Sequence, residues 1–372
     1  MKIGLLTIYQ VPNYGSVLQA YATQELLKSM GHDAKIIRYD YFNKRYYKAR
    51  GFGPSLRERF YPFKALLLPK CKSAVLQRFR YKNLNFTKSF SNIKSLEEYD
   101  WSDYDAFVVG SDQVWNTTFL YGDPVFLLQF VPSNKKRLSL SSSFATSAIP
   151  DKYKDIFRRE LSKFSAISVR ENNGVDIINK QLGINTPVKV TLDPTLLLSK
   201  SQWQELFPLT QEKKLKKPYI LYYMWSYAFE PRPYIFDVVK HFQQKTGWDV
   251  VALEGIRDSS DARGIDFIDA DNSTIPEFID LFNNASLVIT SSFHGTAFAI
   301  NFGIPLLSVV PDGAGDDRQS TILKACGADN CITKIGSDIE KINPEYDKQA
   351  VSAKLEKLRA DSINWINNNI TI

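Results

Sequence analysis

The sequence contains few cysteines and no long apolar run, and each of these absences excludes a class of protein. Its 372 residues include only three cysteines, Cys71, Cys326 and Cys331, too few for the disulfide framework of a small secreted protein. Cys326 and Cys331 have four residues between them and no neighbouring histidine, a spacing that does not favour zinc. No apolar stretch reaches the roughly 18–20 residues of a membrane-spanning helix, and residues 1–8 are too short for a secretory signal. We therefore expect a cytoplasmic protein without a metal site.

Length and composition fit two packed domains. Hydrophobic residues make up 44% of the chain, aromatic residues 13% and charged residues 23%, which excludes a disordered protein. At about 100–200 residues per domain, 372 residues correspond to two domains. We predict an N-terminal α/β domain at 1–205, a C-terminal α/β domain at 206–345 and a C-terminal helix at 346–372.

Apolar runs alternate with segments of helical periodicity. This alternation is typical of parallel sheets, and we expect two Rossmann-like α/β/α domains facing a cleft, where ligands usually bind. The predicted strands are 2–8, 34–39, 106–109, 136–142, 166–169, 188–191, 219–224, 249–253, 287–290 and 305–310. The predicted helices are 17–30, 151–163, 174–182, 233–246, 275–284, 295–302 and 345–369.

One segment, 44–88, interrupts the alternation and is strongly basic. It contains thirteen Lys and Arg residues and a single acid, Glu58, whereas the whole chain has a net charge of only +7. Nine aromatic residues are interleaved with these cations. Two interpretations are equally supported. The segment either contacts an anionic membrane surface or a lipid carrier, or it is a folded helical insertion with solvated cations.

The segment 287–306 gives the strongest local signal for chemistry. A strand ends at Thr290, small polar residues and Gly295 make a turn, and a helix follows. The free N–H groups at such a helix start bind anions. His294 lies in this turn, and we predict that it is catalytic, with Gly295 and Thr296 beside it in the anion-binding site. The alternative for His294 is a capping or core histidine.

A loop rich in Gly and Asp, 312–321, follows the strand 305–310. It therefore opens on the same sheet edge as the His294 turn. Arg318 in this loop could complete an anion clamp, because Arg matches phosphate and carboxylate with two parallel hydrogen bonds. The alternative is a solvated loop with a surface ion pair.

Polar residues also follow three strands of the first half. Asp112 is the best candidate general base, and Arg170 is the best candidate cation from this half of the chain. The same residue types also occur in turns and caps. The other candidate binding residues at these strand ends are Asn13, Tyr14, Gln19, Trp115 and Asn116.

Five motifs together resemble the polysaccharide pyruvyl transferase family over about residues 1–325. They comprise residues 13–21, beginning Asn-Tyr-Gly-Ser, residues 110–116, Gly-Ser-Asp-Gln-Val-Trp-Asn, and residues 168–171, Ser-Val-Arg-Glu. The other two are residues 192–195, Leu-Asp-Pro-Thr, and residues 292–296, Ser-Phe-His-Gly-Thr. No single motif is specific to the family, but the order and combination of the five motifs are specific to it.

This resemblance implies a GT-B-like fold and a reaction. The reaction transfers the enolpyruvyl unit of phosphoenolpyruvate to a sugar, giving a pyruvate ketal and phosphate without a further cofactor. The resemblance assigns the family histidine to His294 and an arginine to Arg170. For this reaction, the predicted donor-binding residues are Arg170, Gly295, Thr296 and Arg318. The predicted acceptor-binding residues are Asn13, Tyr14, Gln19, Trp115 and Asn116. Ser292 stands where some members have an arginine, so either Arg318 supplies that charge or the donor differs. Residues 141–145 depart from the common Tyr-Ala-containing version.

Three functions are therefore weighed. The first is a pyruvyl transferase acting on a saccharide of a surface polysaccharide or its lipid-linked precursor, at the inner face of the membrane. The second is a GT-B-like glycosyltransferase that uses a nucleotide sugar, since the same anion-binding turn suits a diphosphate. The third is a non-catalytic protein that binds through its basic surface. We expect no nucleic-acid partner, because the neighbouring motifs belong to a small-molecule site.

Overall fold

A computed structural model of the protein describes residues 1–54, 70–208, 215, 218–226, 228–254, 264–313 and 315–370. The chain divides into two compact units. Unit 1 comprises Met1–Pro69, Leu76–Leu197 and Leu358–Ile372, and unit 2 comprises Lys70–Val75 and Leu198–Lys357. The main boundaries between the units follow Leu197 and Lys357, whereas the predicted domain boundaries follow residues 205 and 345.

Unit 1 is built on a parallel sheet of five strands in the order β3-β2-β1-β4-β5. A further parallel pair, β6-β7, is connected to the β5 segment by isolated bridges. The strands are β1 Lys2–Leu6, β2 Asp33–Tyr39, β3 Phe86–Phe90, β4 Ala106–Val109, β5 Lys136–Ser139, β6 Ile167–Val169 and β7 Val188–Val190. The helices of this part of the chain are α1 Tyr14–Ser29, α2 Lys44–Arg50, α3 Lys72–Asn83, α4 Ile93–Glu97, α5 Thr117–Leu120, α6 Asp151–Leu161, α7 Asn172–Asp176 and α8 Pro194–Leu197.

Unit 2 has a parallel sheet of six strands in the order β10-β9-β8-β11-β12-β13. The strands are β8 Tyr219–Tyr223, β9 Asp249–Glu254, β10 Phe267–Asp269, β11 Leu287–Thr290, β12 Leu306–Val310 and β13 Ile332–Lys334. The helices are α9 Lys200–Leu206, α10 Tyr234–Thr246, α11 Ile275–Asn284, α12 Phe293–Phe302, α13 Arg318–Cys326 and α14 Lys348–Ile370, the last of which ends in unit 1.

Each sheet has one place where the strand order reverses. In unit 1 this place lies between β1 and β4, where Leu6 pairs with Val109. In unit 2 it lies between β8 and β11, where Tyr223 pairs with Thr290. In open α/β sheets, ligands bind beyond the carboxyl ends of the strands at this reversal. The segments that follow these four strands are therefore the first places to look for a site.

In each unit, a cluster of buried apolar side chains packs on the sheet. The central strands β4, β8 and β11 are buried along their whole length, as parallel strands covered on both faces should be. Cys326 and Cys331 are also buried, and burial raises the pKa of the Cys331 thiol to about 12. That thiol is therefore neutral and behaves as a small apolar side chain.

The basic segment is partly helical in the structure. It contributes α2, α3 and part of β3, while its central residues 55–69 lie outside the described residues. Two of its cations are buried. The Lys72 ammonium contacts Glu254 and Asp271, and the Arg80 guanidinium donates to the carbonyls of Tyr9 and Gln10 at 2.8 and 2.7 Å. These two cations serve the fold. None of the helices in the described part of the chain combines the length and apolar character needed to cross a membrane.

Candidate functional site

The predicted His-Gly turn lies at the strand reversal of unit 2. The helix α12 begins at Phe293, two residues earlier than predicted, so His294 lies in its first turn. Ser292 caps this helix, because its hydroxyl accepts from the Gly295 N–H at 3.3 Å. His294 is 6% exposed, and the first turn contains no acidic residue. A partial positive charge and a nearly buried imidazole therefore meet at this edge of the sheet.

Gly295 and Thr296 pack the start of α12 against the sheet. A Cβ on Gly295 would overlap Thr290 Oγ1 and lie 3.0 Å from Tyr223 Cδ1, so only glycine lets α12 approach the sheet this closely. Thr296 is fully buried, and its hydroxyl lies 2.7 Å from Ser308 Oγ. Both residues position the helix that carries His294. Their predicted part in donor binding stays a prediction.

Arg318 lies beside the same turn. Its guanidinium carbon is 5.8 Å from the centre of the Phe293 ring, and Phe293 precedes His294. The Arg318 Nε donates to both carboxylate oxygens of Asp316, at 2.7 and 2.9 Å, and both side chains are nearly buried. The structure thus brings Arg318 next to the turn in an ion pair. Whether it also holds an anion stays a prediction.

Two residues at this reversal were missed by the sequence analysis. Trp225 follows β8, and its backbone N–H donates to Ser291 Oγ at 2.9 Å, while Ser291 Oγ donates to the Trp225 carbonyl at 2.8 Å. Tyr223 ends β8, and burial raises the pKa of its hydroxyl well above the ordinary value, so the group stays neutral. The only sign in the sequence was their position at the end of a strand. An aromatic residue at that position is equally typical of the apolar core.

Asp112 lies at the strand reversal of unit 1, after β4. It is 5% exposed. Its Oδ2 accepts from the Ser16 hydroxyl at 2.6 Å, and Ser16 belongs to the first turn of α1, which follows β1. Its Oδ1 accepts from Arg170 Nη2 at 3.0 Å. The structure therefore brings Asp112 and Arg170, predicted separately, into contact.

Arg170 donates to two carboxylates, and a third, that of Glu171, lies 4.0 Å from its Nε. Besides Asp112, it contacts Asp193, whose Oδ2 accepts from Arg170 Nη1 at 2.7 Å and from Ser111 Oγ at 2.7 Å. The Arg170 side chain is only 1% exposed. The predicted contact of Arg170 with a donor stays a prediction. No role was predicted for Asp193, although its position three residues after β7 matches that of Asp112 after β4.

The predicted acceptor residues mostly support the fold. Trp115 is 1% exposed, and its ring packs on Phe144 with the centroids 5.2 Å apart. Tyr14 and Gln19 are fully buried. The predicted contact of these three residues with an acceptor stays a prediction. Asn13 and Asn116 are half-buried N-caps of α1 and α5. Their side-chain oxygens accept helix N–H bonds, a structural use that a turn motif shares with a binding site.

Metal ligands were not expected from the sequence. In the residues that the structure describes, no group of three or more His, Cys, Asp and Glu side chains could hold a metal ion. The reaction without a further cofactor stays a prediction.

Two Rossmann-like units, each with polar side chains at its strand reversal, are typical of a GT-B-like protein, and the predicted α/β class with two Rossmann-like domains is confirmed. Over residues 13–313 the chain matches the family model of the polysaccharide pyruvyl transferases, and it belongs to that family. It is therefore an enzyme of the transferase class, which removes the interpretation as a non-catalytic binding protein. A search of curated proteins gave no match.

Solved structures agree at the level of the fold. The UDP-GlcNAc 2-epimerase from Methanocaldococcus jannaschii superimposes with a TM-score of 0.50 at 13% identity, covering 97% of this chain and 100% of that one. UGT89C1 of Arabidopsis thaliana, complexed with quercetin, gives a TM-score of 0.50 at 13% identity, covering 97% and 94%. At such identities the likeness concerns the fold alone.

Proposed function

We propose that this protein transfers the pyruvyl unit of phosphoenolpyruvate to a saccharide, forming a pyruvate ketal and releasing phosphate. Membership of the polysaccharide pyruvyl transferase family supports a saccharide acceptor. The observation that carries the proposal is the position of His294 in the first turn of α12, at the strand reversal of unit 2. A helix start without acidic residues suits a phosphate, and an imidazole is the usual group for proton transfer near neutral pH.

The proposed reaction is redox-neutral. Two sugar hydroxyls form bonds to C2 of phosphoenolpyruvate, C3 gains one proton, and the bond from C2 to the phosphate oxygen breaks. The second hydroxyl proton leaves with the phosphate. In unit 2, N–H groups of the first turn of α12 bind the phosphate and His294 gives the proton to C3. In unit 1, Asp112 accepts a proton from an acceptor hydroxyl.

Phosphate release tests this function. The protein should release one phosphate for each pyruvyl group transferred, and only when phosphoenolpyruvate and a saccharide are both present. The acceptors are a panel of free and lipid-linked saccharides, and mass spectrometry identifies the ketal. A second arm offers UDP-sugars with the same acceptors. Release of UDP in that arm, with no phosphate in the first, would contradict the proposal and favour the glycosyltransferase alternative.

We also propose that the acceptor is carried on a lipid and that the basic segment contacts the anionic membrane surface. On α2, Lys44 and Lys48 are exposed, and the helix contains no acidic residue. Phe52, just beyond α2, is 59% exposed, with the Arg50 guanidinium 4.1 Å from its ring centre. Exposed cations beside an exposed aromatic ring are the side chains that favour an anionic interface.

Vesicle co-sedimentation checks the membrane contact. The wild-type protein should sediment with phosphatidylserine-containing vesicles at low salt and not with neutral ones. A double variant, Lys44→Gln with Lys48→Gln, should bind roughly 30-fold more weakly, since each cation is worth up to about 1 kcal/mol. Lys94→Gln with Lys180→Gln is the matched control, because both lysines are exposed in unit 1 outside the basic segment. If the protein sedimented equally with both kinds of vesicle, the proposed membrane contact would be wrong. The basic segment would then have a structural role only.

A further inference from the structure

Arg170 links two carboxylates of unit 1. One belongs to Asp112, at the strand reversal, and the other to Asp193, which follows β7. Arg170 Nη2 contacts Asp112 Oδ1 at 3.0 Å, and Arg170 Nη1 contacts Asp193 Oδ2 at 2.7 Å. The three residues are 3%, 5% and 1% exposed. A guanidinium has its N–H groups in a rigid planar fork, so anchoring one arm fixes where the other arm points. Asp193 is itself fixed, because its Oδ1 accepts from the Thr195 N–H and hydroxyl.

The backbone beside this ion pair is strained. Asp112, Ser141 and Ala145 have φ values of +70°, +50° and +52°, in the left-handed region that non-glycine residues rarely adopt. The Asp112 carbonyl accepts from the Ser143 N–H at 3.0 Å, and Ser111 Oγ lies 2.9 Å from the Ser141 carbonyl oxygen. Strain of this kind persists only where the surroundings over-determine it, and it concentrates at functional sites.

We propose that Arg170 is a positioning residue that fixes the Asp112 carboxylate for its reaction with the acceptor, and that it does not bind phosphoenolpyruvate. This inference rests on the proposed function. Arg170 and Ser16 each give one hydrogen bond to a different oxygen of Asp112, which sets the plane of the carboxylate. An ionised carboxylate offers about four acceptor positions, so these bonds are compatible with a third to an acceptor hydroxyl. The buried guanidinium acts on the substrate only through Asp112.

Arg170→Lys tests the inference, because it keeps the charge and removes the fork. We expect kcat for phosphate release to fall about 100-fold, since a misplacement of about 1 Å costs that much, while KM for phosphoenolpyruvate changes less than about threefold. Asp193→Asn should lower kcat in the same direction. Arg137→Lys is the matched control, because Arg137 is another buried arginine of unit 1, paired with Glu160 at 3.9 Å. It should alter the unfolding midpoint but not kcat.

Two results would overturn the inference. One is a rise in KM for phosphoenolpyruvate with unchanged kcat in a folded Arg170→Lys protein, which would return Arg170 to donor binding. The other is additivity of Arg170→Lys and Asp112→Asn in urea unfolding, because residues in contact give non-additive effects. The unfolding cycle needs no activity. A wild-type protein that releases no phosphate would therefore contradict the proposed function, while the cycle still decides whether Arg170 holds Asp112.

Discussion

Replacing His294 with alanine should lower the rate of phosphate release from phosphoenolpyruvate by about 10²–10⁴, the range for loss of a proton-transfer group. His294 lies in the first turn of α12 and is 6% exposed, beside N–H groups that suit the donor's phosphate. Without the imidazole, C3 would have to take its proton from water. The measurement is single-turnover phosphate release with saturating acceptor, compared with the wild-type protein.

His241→Ala is the control for this variant. His241 lies inside α10, and its Nδ1 is 3.4 Å from Glu340 Oε1, so it belongs to neither segment that directly follows β8 or β11. Its replacement should leave the rate unchanged. Thermal unfolding of both variants shows whether they are folded. A folded His294→Ala protein with nearly normal phosphate release would remove His294 from the chemistry.

The central elements of both units could be predicted because their signals are local. The strand β11 and the helix α11 have the predicted bounds, 287–290 and 275–284. A buried apolar run defines β11, and the capping box of Thr274 and Glu277 starts α11. The edge strands β3, β10 and β13 were missed. The strands β10 and β13 have three residues each, and an edge strand is fixed by pairing with its neighbour more than by its own sequence.

The candidate site could be predicted only as far as the ends of strands. The sequence placed Asp112 and His294 after buried strands, and the structure puts both at a strand reversal. The sequence did not distinguish side chains that face a ligand from side chains that complete a loop. Trp115 and Asn116 adjoin Asp112 in the chain, yet one packs in the core and the other caps α5. That distinction depends on contacts with distant segments, such as Phe144, which no local pattern contains.

Replacing Asp112 with asparagine should abolish transfer, with a loss of 10² or more, while phosphoenolpyruvate still binds within about threefold of the wild-type affinity. Asparagine has nearly the same shape but cannot accept the hydroxyl proton. It also takes a charge from a buried pair with Arg170, a change that costs about 3–5 kcal/mol of stability when one partner is removed. Activity is therefore measured well below the unfolding midpoint, and donor binding is measured by calorimetry.

Asp123→Asn separates this effect from the general cost of changing a buried aspartate. Asp123 is also 5% exposed in unit 1, but its Oδ2 accepts from the Tyr39 hydroxyl at 2.8 Å, and burial raises its pKa. This control should lose stability and keep turnover. If Asp112→Asn instead weakened phosphoenolpyruvate binding as much as it lowered turnover, Asp112 would act on the donor. If it turned over normally, the proton acceptor would lie elsewhere, and the ion pair with Arg170 would be structural.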